Sequence, residues 1–136
     1  MAHRFPRADA AVPEARTFLR RVLREWNITD RSDDALYCLS ELATNAILHA
    51  GPEGEHFDVE ISLAEGRLRI EVRDLTRRKP HVQSPTPEDT SGRGLLLVDA
   101  LADGWGVEPC VPYGKTVWTE FKIEERLGLP AGVTSC

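Results

Sequence analysis

The spacing of hydrophobic residues in the first half of the chain predicts two helices followed by two strands. Apolar side chains recur every three or four positions over residues 12–26, and Pro13 fits the first turn of such a helix. A second stretch with helical spacing runs from residue 32 to about residue 50. Apolar and polar residues then alternate over residues 57–63 and 68–72, which indicates the two strands of an antiparallel hairpin.

A long loop, a third helix and two more strands are predicted for the second half. Residues 75–91 contain three prolines among charged and small residues, and loops of this length are typical of lids or binding loops. Residues 92–94, Gly-Arg-Gly, lead into an apolar helix over residues 95–101. Strands are expected over residues 105–110 and 116–123, which would complete the sheet.

This order of elements predicts one domain of the α+β class. It fits a two-layer α/β sandwich, in which helices cover one face of a mixed, mostly antiparallel sheet. A chain of 136 residues is long enough for one such core and too short for two. We expect residues 1–11 to form a flexible arm, residues 12–123 the domain, and residues 124–136 a C-terminal tail.

The composition of the chain indicates which cellular compartment and which classes of binding partner to expect. The chain has 22 acidic and 17 basic residues, and its net charge of −5 disfavours nucleic-acid binding, which needs a basic surface. No apolar run approaches the roughly 20 residues that cross a membrane, and the first ten residues lack the apolar core of a secretion signal. Cys38, Cys110 and Cys136 have no metal-ligand spacing and are expected to be reduced thiols of a cytoplasmic protein.

Three polar residues on the second predicted helix are the first candidates for chemistry. Glu41, Asn45 and His49 are spaced four residues apart, so they form one stripe at the edge of an apolar helix face. An amide oxygen is a suitable ligand for Mg²⁺, and a carboxylate one turn away can accept a proton. The same stripe could instead supply hydrogen bonds between packed helices, and His49 alone is more typical of a helix C-terminus. Both interpretations stay open at this point.

Further candidates lie at the ends of other predicted elements. Gly92, Arg93 and Gly94 precede the third helix, where backbone N–H groups and an arginine can hold phosphate oxygens. Asp74, at a strand end, can accept a hydrogen bond from an exocyclic amine such as that of adenine, and Thr116 offers a hydroxyl. Each is an ordinary turn or strand-end residue when it is considered singly.

Together, and in this order, these residues resemble a known ATP-binding fold. The chain is similar to the GHKL family, which includes gyrase, Hsp90, histidine kinases and MutL and has the Bergerat-type fold. Within that family it looks most like the stand-alone bacterial anti-sigma-factor serine kinases. The resemblance spans residues 12–123 and rests on four segments: Glu41-xxx-Asn45, Asp74, Gly92-Arg93-Gly94-Leu95-xx-Val98 and Gly114-Lys115-Thr116-Val117-Trp118.

The resemblance implies a role for each residue of the site. Asn45 would coordinate the Mg²⁺ ion that bridges the ATP phosphates, and Glu41 would act as general base. Asp74 would accept the adenine amino group, with support from Thr116. The loop over residues 75–91 would be the ATP lid. The phosphates would be held at the start of the third helix, by Gly92, Arg93 and Gly94.

One segment departs from the family pattern, and it separates two possible functions. The family's first glycine motif is Asp-x-Gly-x-Gly, whereas Asp74 is followed by Leu75-Thr76-Arg77-Arg78. The resemblance implies a Mg-ATP-dependent serine/threonine kinase that phosphorylates an antagonist protein and sequesters a sigma factor without contacting nucleic acid or membrane. By the same family analogy, the kinase can form a homodimer. The alternative is a nucleotide-sensing or catalytically inactive regulator that acts by protein contact. The missing glycines favour this alternative, and the presence of both Glu41 and Asn45 favours the kinase.

Overall fold

The computed structural model describes residues 1–49, 56–74, 92–110 and 114–123, which contain five strands and three helices. In chain order the elements are β1 (Ala2–Pro6), α1 (Ala11–Glu25), α2 (Ser32–His49), β2 (His56–Ala64), β3 (Arg67–Asp74), α3 (Gly92–Leu101), β4 (Gly104–Pro109) and β5 (Lys115–Lys122). Every helix and strand predicted from the sequence is present, with ends that differ by a few residues. The predicted lid loop, most of the turn before β5 and the predicted tail lie outside the described residues.

The sheet is antiparallel across all the described strands, in the order β1-β2-β3-β5-β4. β2 and β3 form the predicted hairpin, and Glu65 and Gly66 turn the chain between them with φ values of 54° and 73°. Positive φ at both central residues belongs to the two-residue turn that matches the twist of paired strands. The helices pack on one face of this sheet, so the predicted α+β two-layer sandwich is confirmed.

Strand alternation divides the sheet into a helix-facing side and an outer side. The buried residues of the helix-facing side are apolar apart from Thr119 and Asp74; they are Phe57, Val59, Ile61, Leu63, Leu68, Ile70, Val72, Asp74, Val117, Thr119 and Phe121. On the outer side, the guanidinium of Arg69 lies 4.4 Å from the centre of the Trp118 ring. The same guanidinium forms ion pairs with Glu71 and Glu120. The hydrophobic core therefore lies between the helices and one face of the sheet.

The first strand corrects the expectation that residues 1–11 form a flexible arm. Residues 2–6 instead pair with β2, and Phe5 is 3% exposed with its ring 5.7 Å from that of Phe57. Arg4 adds an ion pair of 2.8 Å with Asp58. The segment is short, ends in proline and pairs with residues 50 or more positions away in the chain, so its local sequence carries little strand signal.

Helices α1 and α2 pack on each other and on the sheet through apolar stripes. The buried residues of α1 are Ala11, Ala15, Leu19, Val22 and Leu23. Those of α2 are Ala35, Leu36, Cys38, Leu39, Leu42, Ala43, Asn45 and Ala46. None of the helices in the described ranges is long and apolar enough to span a membrane.

Arg31, immediately before α2, joins three elements. Its guanidinium donates a hydrogen bond to the carbonyl of Leu101 at the end of α3, and it forms ion pairs with Asp103 (2.8 Å) and Asp34 (3.2 Å). The same group lies 5.3 Å from the centre of the Phe121 ring, near the end of β5. The start of α2, the end of α3 and the end of β5 are therefore held together at one end of the sandwich.

β5 begins immediately after Gly114, whose φ of 97° is easy for glycine and strained for other residues. The backbone N–H of Cys110 donates to the Gly114 carbonyl at 2.9 Å, so β4 and β5 remain paired up to this point. From Gly114 onward, odd-numbered residues of β5 face the helices and even-numbered residues face the outer side.

Candidate nucleotide site

The direction of α2 places its last turns at the end of the sheet where β3 finishes. Arg31 holds the start of α2 beside the last residues of β5. At the other end of the helix, Arg7, which follows β1, donates a hydrogen bond of 2.8 Å to the Ile47 carbonyl. The last residue of β1, Pro6, pairs with the first residue of β2, His56. The next residue of β2, Phe57, pairs with Asp74, the last residue of β3. Asn45 therefore lies at the same end of the sandwich as Asp74.

The first turn of α3 extends toward this end as well. α3 packs against α2, and its last residue, Leu101, is bound by Arg31 at the opposite end. Ten helical residues span about 15 Å, so Gly92 lies roughly that far from the Arg31 anchor. The helix begins at Gly92, three residues earlier than expected, and Arg93 and Gly94 belong to its first turn. Their side-chain surroundings lie outside the described residues, so their predicted phosphate contacts stay predictions.

Asn45 presents a buried acceptor that the described residues leave unpaired. The side chain is 7% exposed, and its Oδ1 atom has no hydrogen-bond partner among the described groups. An unsatisfied buried acceptor costs about 1–3 kcal/mol, so this oxygen is suited to a cation or a donor supplied by a ligand. No group of three or more acidic, histidine or cysteine side chains in the described ranges could hold a metal alone. Mg²⁺ at Asn45 would therefore take its other oxygens from a ligand and water, as Mg²⁺ commonly does.

Glu41 lies one turn before Asn45, in a groove between α1 and α2. The groove is lined by both helices, including Arg16, Arg20, Tyr37 and Glu41. The pKa of Tyr37 is raised by burial, by the negative charge of Glu41 and by a hydrogen bond to the Glu41 carboxylate. Glu41 is half-buried in the groove that Tyr37 also lines, so its carboxylate remains within reach of an approaching side chain. Such a carboxylate can accept a proton.

Asp74 and Thr116 lie on opposite faces of the sheet. Asp74 is 3% exposed, and its direct partner in β5 is Lys115, so both side chains lie on the helix-facing side. Thr116 pairs with Arg73 and faces the outer side, where its Oγ1 atom lies 3.1 Å from the Sγ atom of Cys110. The resemblance implies that Thr116 supports Asp74 in binding adenine. The structure instead places the Thr116 side chain on the opposite face of the sheet from Asp74.

Lys115 is the residue that the sequence interpretation missed at this position. Its neighbours in β5 carry the signal: Val117 and Phe121 are apolar and must face the core, so alternation places Lys115 on the same side.

The polar stripe on α2 is only partly described. Glu41 and Asn45 lie on adjacent turns of α2 as predicted, whereas the side chain of His49 lies outside the described set.

An antiparallel sheet with helices on one face, and with the polar residues Asn45 and Asp74 buried at one end, defines a two-layer α+β domain with a candidate binding site at that end. Comparison with known proteins gives the family. The chain belongs to the family of histidine kinase-like ATPase domains, whose sequence profile matches residues 5–120. This match supports the GHKL-type fold, and a domain of this type implies nucleotide binding.

Two relatives show local similarity. The chain is 40% identical over 74 residues to an uncharacterized protein of Streptomyces coelicolor. The matched region covers 52% of this chain and 69% of that protein. It is 29% identical over 76 residues to a protein of Caldanaerobacter subterraneus named as a 3-hydroxyacyl-(acyl-carrier-protein) dehydratase. That match covers 56% of this chain and 48% of the named dehydratase, so the chain spans about half of that relative.

Proposed function

We propose that this protein binds Mg-ATP and transfers the γ-phosphate to a serine or threonine hydroxyl of a partner protein. The observation that carries the proposal is the arrangement on adjacent turns of α2. There, a buried amide oxygen unpaired by the described groups lies one helical turn from the half-buried carboxylate of Glu41, in the groove that Tyr37 also lines. Asn45 suits a metal–phosphate complex, and Glu41 suits a proton acceptor that a protein substrate can reach.

The transfer assigns a task to each group. The acceptor hydroxyl oxygen attacks the γ-phosphorus while its proton passes to the Glu41 carboxylate. The bond from the γ-phosphorus to the oxygen that bridges to the β-phosphate breaks, and ADP leaves with the electron pair. Mg²⁺ held by Asn45 and the phosphates would neutralise the charge that develops there. Asp74, buried at the end of β3, would accept the hydrogen bond of the adenine amine.

The partners of the reaction follow from the resemblance to anti-sigma-factor kinases. In this proposal the chain phosphorylates an antagonist protein, and the same chain binds a sigma factor and holds it inactive. The net charge of −5 agrees with a regulator that binds protein rather than nucleic acid. Homodimerisation forms part of the same proposal.

A second function is favoured by the segment after Asp74. Leu75-Thr76-Arg77-Arg78 places side chains where the family has glycines that let the backbone approach the nucleotide. A protein of this kind would bind nucleotide as a signal and regulate its partner by contact alone. The two functions differ in whether phosphate is transferred.

Calorimetric titration tests the nucleotide step. Wild-type protein should bind ATP in the presence of Mg²⁺, and Asn45→Ala should weaken that binding at least about tenfold, the effect of one lost charge-assisted contact. Lys122→Met, on an exposed residue at the far end of β5, serves as a control and should bind ATP like the wild type. Absence of ATP binding by the folded wild-type protein would reject both functions.

Phosphate transfer is then tested with radiolabelled ATP and candidate antagonist proteins. Glu41→Gln keeps the size and most hydrogen bonds of the side chain but removes the proton acceptor, so transfer should fall by about 100-fold or more. ATP affinity should change little. Transfer at the wild-type rate in Glu41→Gln would eliminate Glu41 as the base, and ATP binding without transfer to any antagonist would favour the contact-only regulator.

A further inference from the structure

The pairing of β3 with β5 places Lys115 directly opposite Asp74, the residue proposed to bind the base. Asp74 and Lys115 are direct cross-strand partners, so their Cβ atoms are expected about 4.5–5.5 Å apart on the helix-facing side. Asp74 is buried and Lys115 is half-buried, at the end of the sandwich that also carries Asn45. A residue with an acceptor carboxylate and a residue with a flexible charged donor are therefore cross-strand neighbours where a nucleobase would lie.

We propose that Lys115 reads the nucleobase together with Asp74, by donating a hydrogen bond to the ring N1 atom of adenine. This inference rests on the proposed binding of ATP and names the residue that completes base recognition. The Watson–Crick edge of adenine presents an amine donor, N6, next to an acceptor, N1. Asp74 accepts from N6, Lys115 donates to N1, and both groups of the base are satisfied.

The same pair discriminates against guanine in this orientation. Guanine has an acceptor, O6, where adenine has the amine, and an N–H donor at N1. O6 would face the Asp74 carboxylate and N1–H would face the Lys115 ammonium, so both contacts become repulsive. Specificity for adenine therefore comes from two mismatches with the competitor as well as two matches with the correct base.

The strand register rather than the residue type selects Lys115 over its neighbour. Thr116 carries a hydroxyl that could bind a base, but it faces the outer side and lies against Cys110. Lys115 has a flexible four-carbon stem and three donors, so its ammonium can adjust to a base held by Asp74. The outer-side hydroxyl of Thr116 is separated from the same base by the sheet itself.

The test compares ATP with 1-deaza-ATP, in which a C–H group replaces N1, by calorimetric titration with Mg²⁺. Wild-type protein should bind 1-deaza-ATP about tenfold or more weakly than ATP, which is the contribution of one charge-assisted hydrogen bond. Lys115→Met should bind ATP more weakly than the wild type and should bind the two nucleotides equally. Lys122→Met and Thr116→Val serve as controls for the loss of a lysine and for the outer face, and both should keep the wild-type preference.

Each contrary outcome has a separate meaning. If Lys115→Met still prefers ATP over 1-deaza-ATP by the wild-type factor, Lys115 does not contact N1 and the inference is overturned. If Thr116→Val loses the preference for ATP over 1-deaza-ATP instead, Thr116 rather than Lys115 recognises the N1 atom, and the inference is overturned. A wild-type protein that binds ATP and 1-deaza-ATP equally overturns the Lys115 contact alone. A wild-type protein that binds neither overturns the proposed function as well. Circular dichroism of each variant verifies that the fold is retained.

Discussion

The side chain of Asn45 is buried in a helix that otherwise contributes apolar residues to the core. Its neighbours Leu42 and Ala46 are fully or almost fully buried, and its own Oδ1 atom has no partner in the described structure. A residue kept only for packing would not leave an acceptor unsatisfied at this depth. Stability and ligand binding therefore place different demands on this one position.

Replacement of Asn45 should separate these two demands. In Asn45→Ala, the lost packing and the removed unsatisfied acceptor offset each other, so the free energy of unfolding without nucleotide should stay within about 1 kcal/mol of the wild type. Leu42→Ala, three residues earlier on the same helix, should cost about 2–5 kcal/mol because it opens a cavity. Urea unfolding of the three proteins measures both values. A large loss of stability in Asn45→Ala would show that the amide has a structural partner.

The contact between Tyr37 and Glu41 can be followed by titration of the phenol. Burial comes first among the causes that raise the pKa of Tyr37, and the charge and hydrogen bond of Glu41 add to it. Glu41→Gln removes the charge, so the pKa of Tyr37 should fall toward its ordinary value and stay above it because burial remains. Absorbance titration in a Tyr113→Phe background isolates Tyr37, since the chain has two tyrosines. An unchanged titration curve would show that Glu41 does not contact the phenol.

Helix α3 depends on Arg31 for its position at the end opposite the proposed site. The Arg31 guanidinium closes the last turn of α3 through the Leu101 carbonyl and ties Asp103 to the start of α2. Asp103 also accepts a hydrogen bond of 2.6 Å from the backbone N–H of Lys122 in β5. The first turn of α3, which would hold phosphates, is therefore oriented from its far end.

Acid should release this anchor. The hydrogen bond from the Lys122 backbone N–H contributes most to lowering the pKa of Asp103; burial opposes it, and the hydrogen bond and charge of Arg31 lower the pKa further. A carboxyl group with a lowered folded-state pKa stabilises the fold above its ordinary value of about 3.8 and loses that stabilisation as the pH falls through the folded value. Urea unfolding between pH 5 and pH 3 should therefore show a steeper loss of stability for the wild type than for Asp103→Asn. Equal slopes would show that Asp103 has no net effect.

The sequence predicted the elements far better than their arrangement. The periodicity of α1, α2, β2 and β3 is local information, and all four are present. β1 was missed because Phe5 is its only buried residue and its pairing partners are distant in the chain. The position of Thr116 was misjudged because a motif fixes the order of residues but not the face on which each one lies. Alternation from the buried Val117 could have shown this, whereas the sheet order could not be obtained from local patterns.

At the scale of the whole molecule, the buried apolar residues in the described ranges form one core cluster, and the thiol of Cys38 lies inside it. Cys38 is 0% exposed and burial raises its pKa to about 12, so at pH 8 roughly one thiol in ten thousand is ionised. Cys110 immediately follows β4 and is half-buried. Since the thiolate is the reactive form, a thiol reagent should modify Cys110 in the native protein and Cys38 only after unfolding. Mass spectrometry of peptides after timed labelling measures both, and rapid native labelling of Cys38 would indicate local opening of α2.

The positive φ of Gly114 comes immediately before β5, where the register decides which residues of the strand face the helices and which face the outer side. One inserted residue after this glycine would turn Lys115 outward and direct Thr116 toward the helices. The same shift would also expel Val117 and Phe121 from the core, which the fold would not survive. The residues that face a ligand are thus protected from slippage by the residues that face the core. A substitution at Lys115 can therefore change nucleotide specificity, whereas an insertion or deletion in β5 would also displace its core residues.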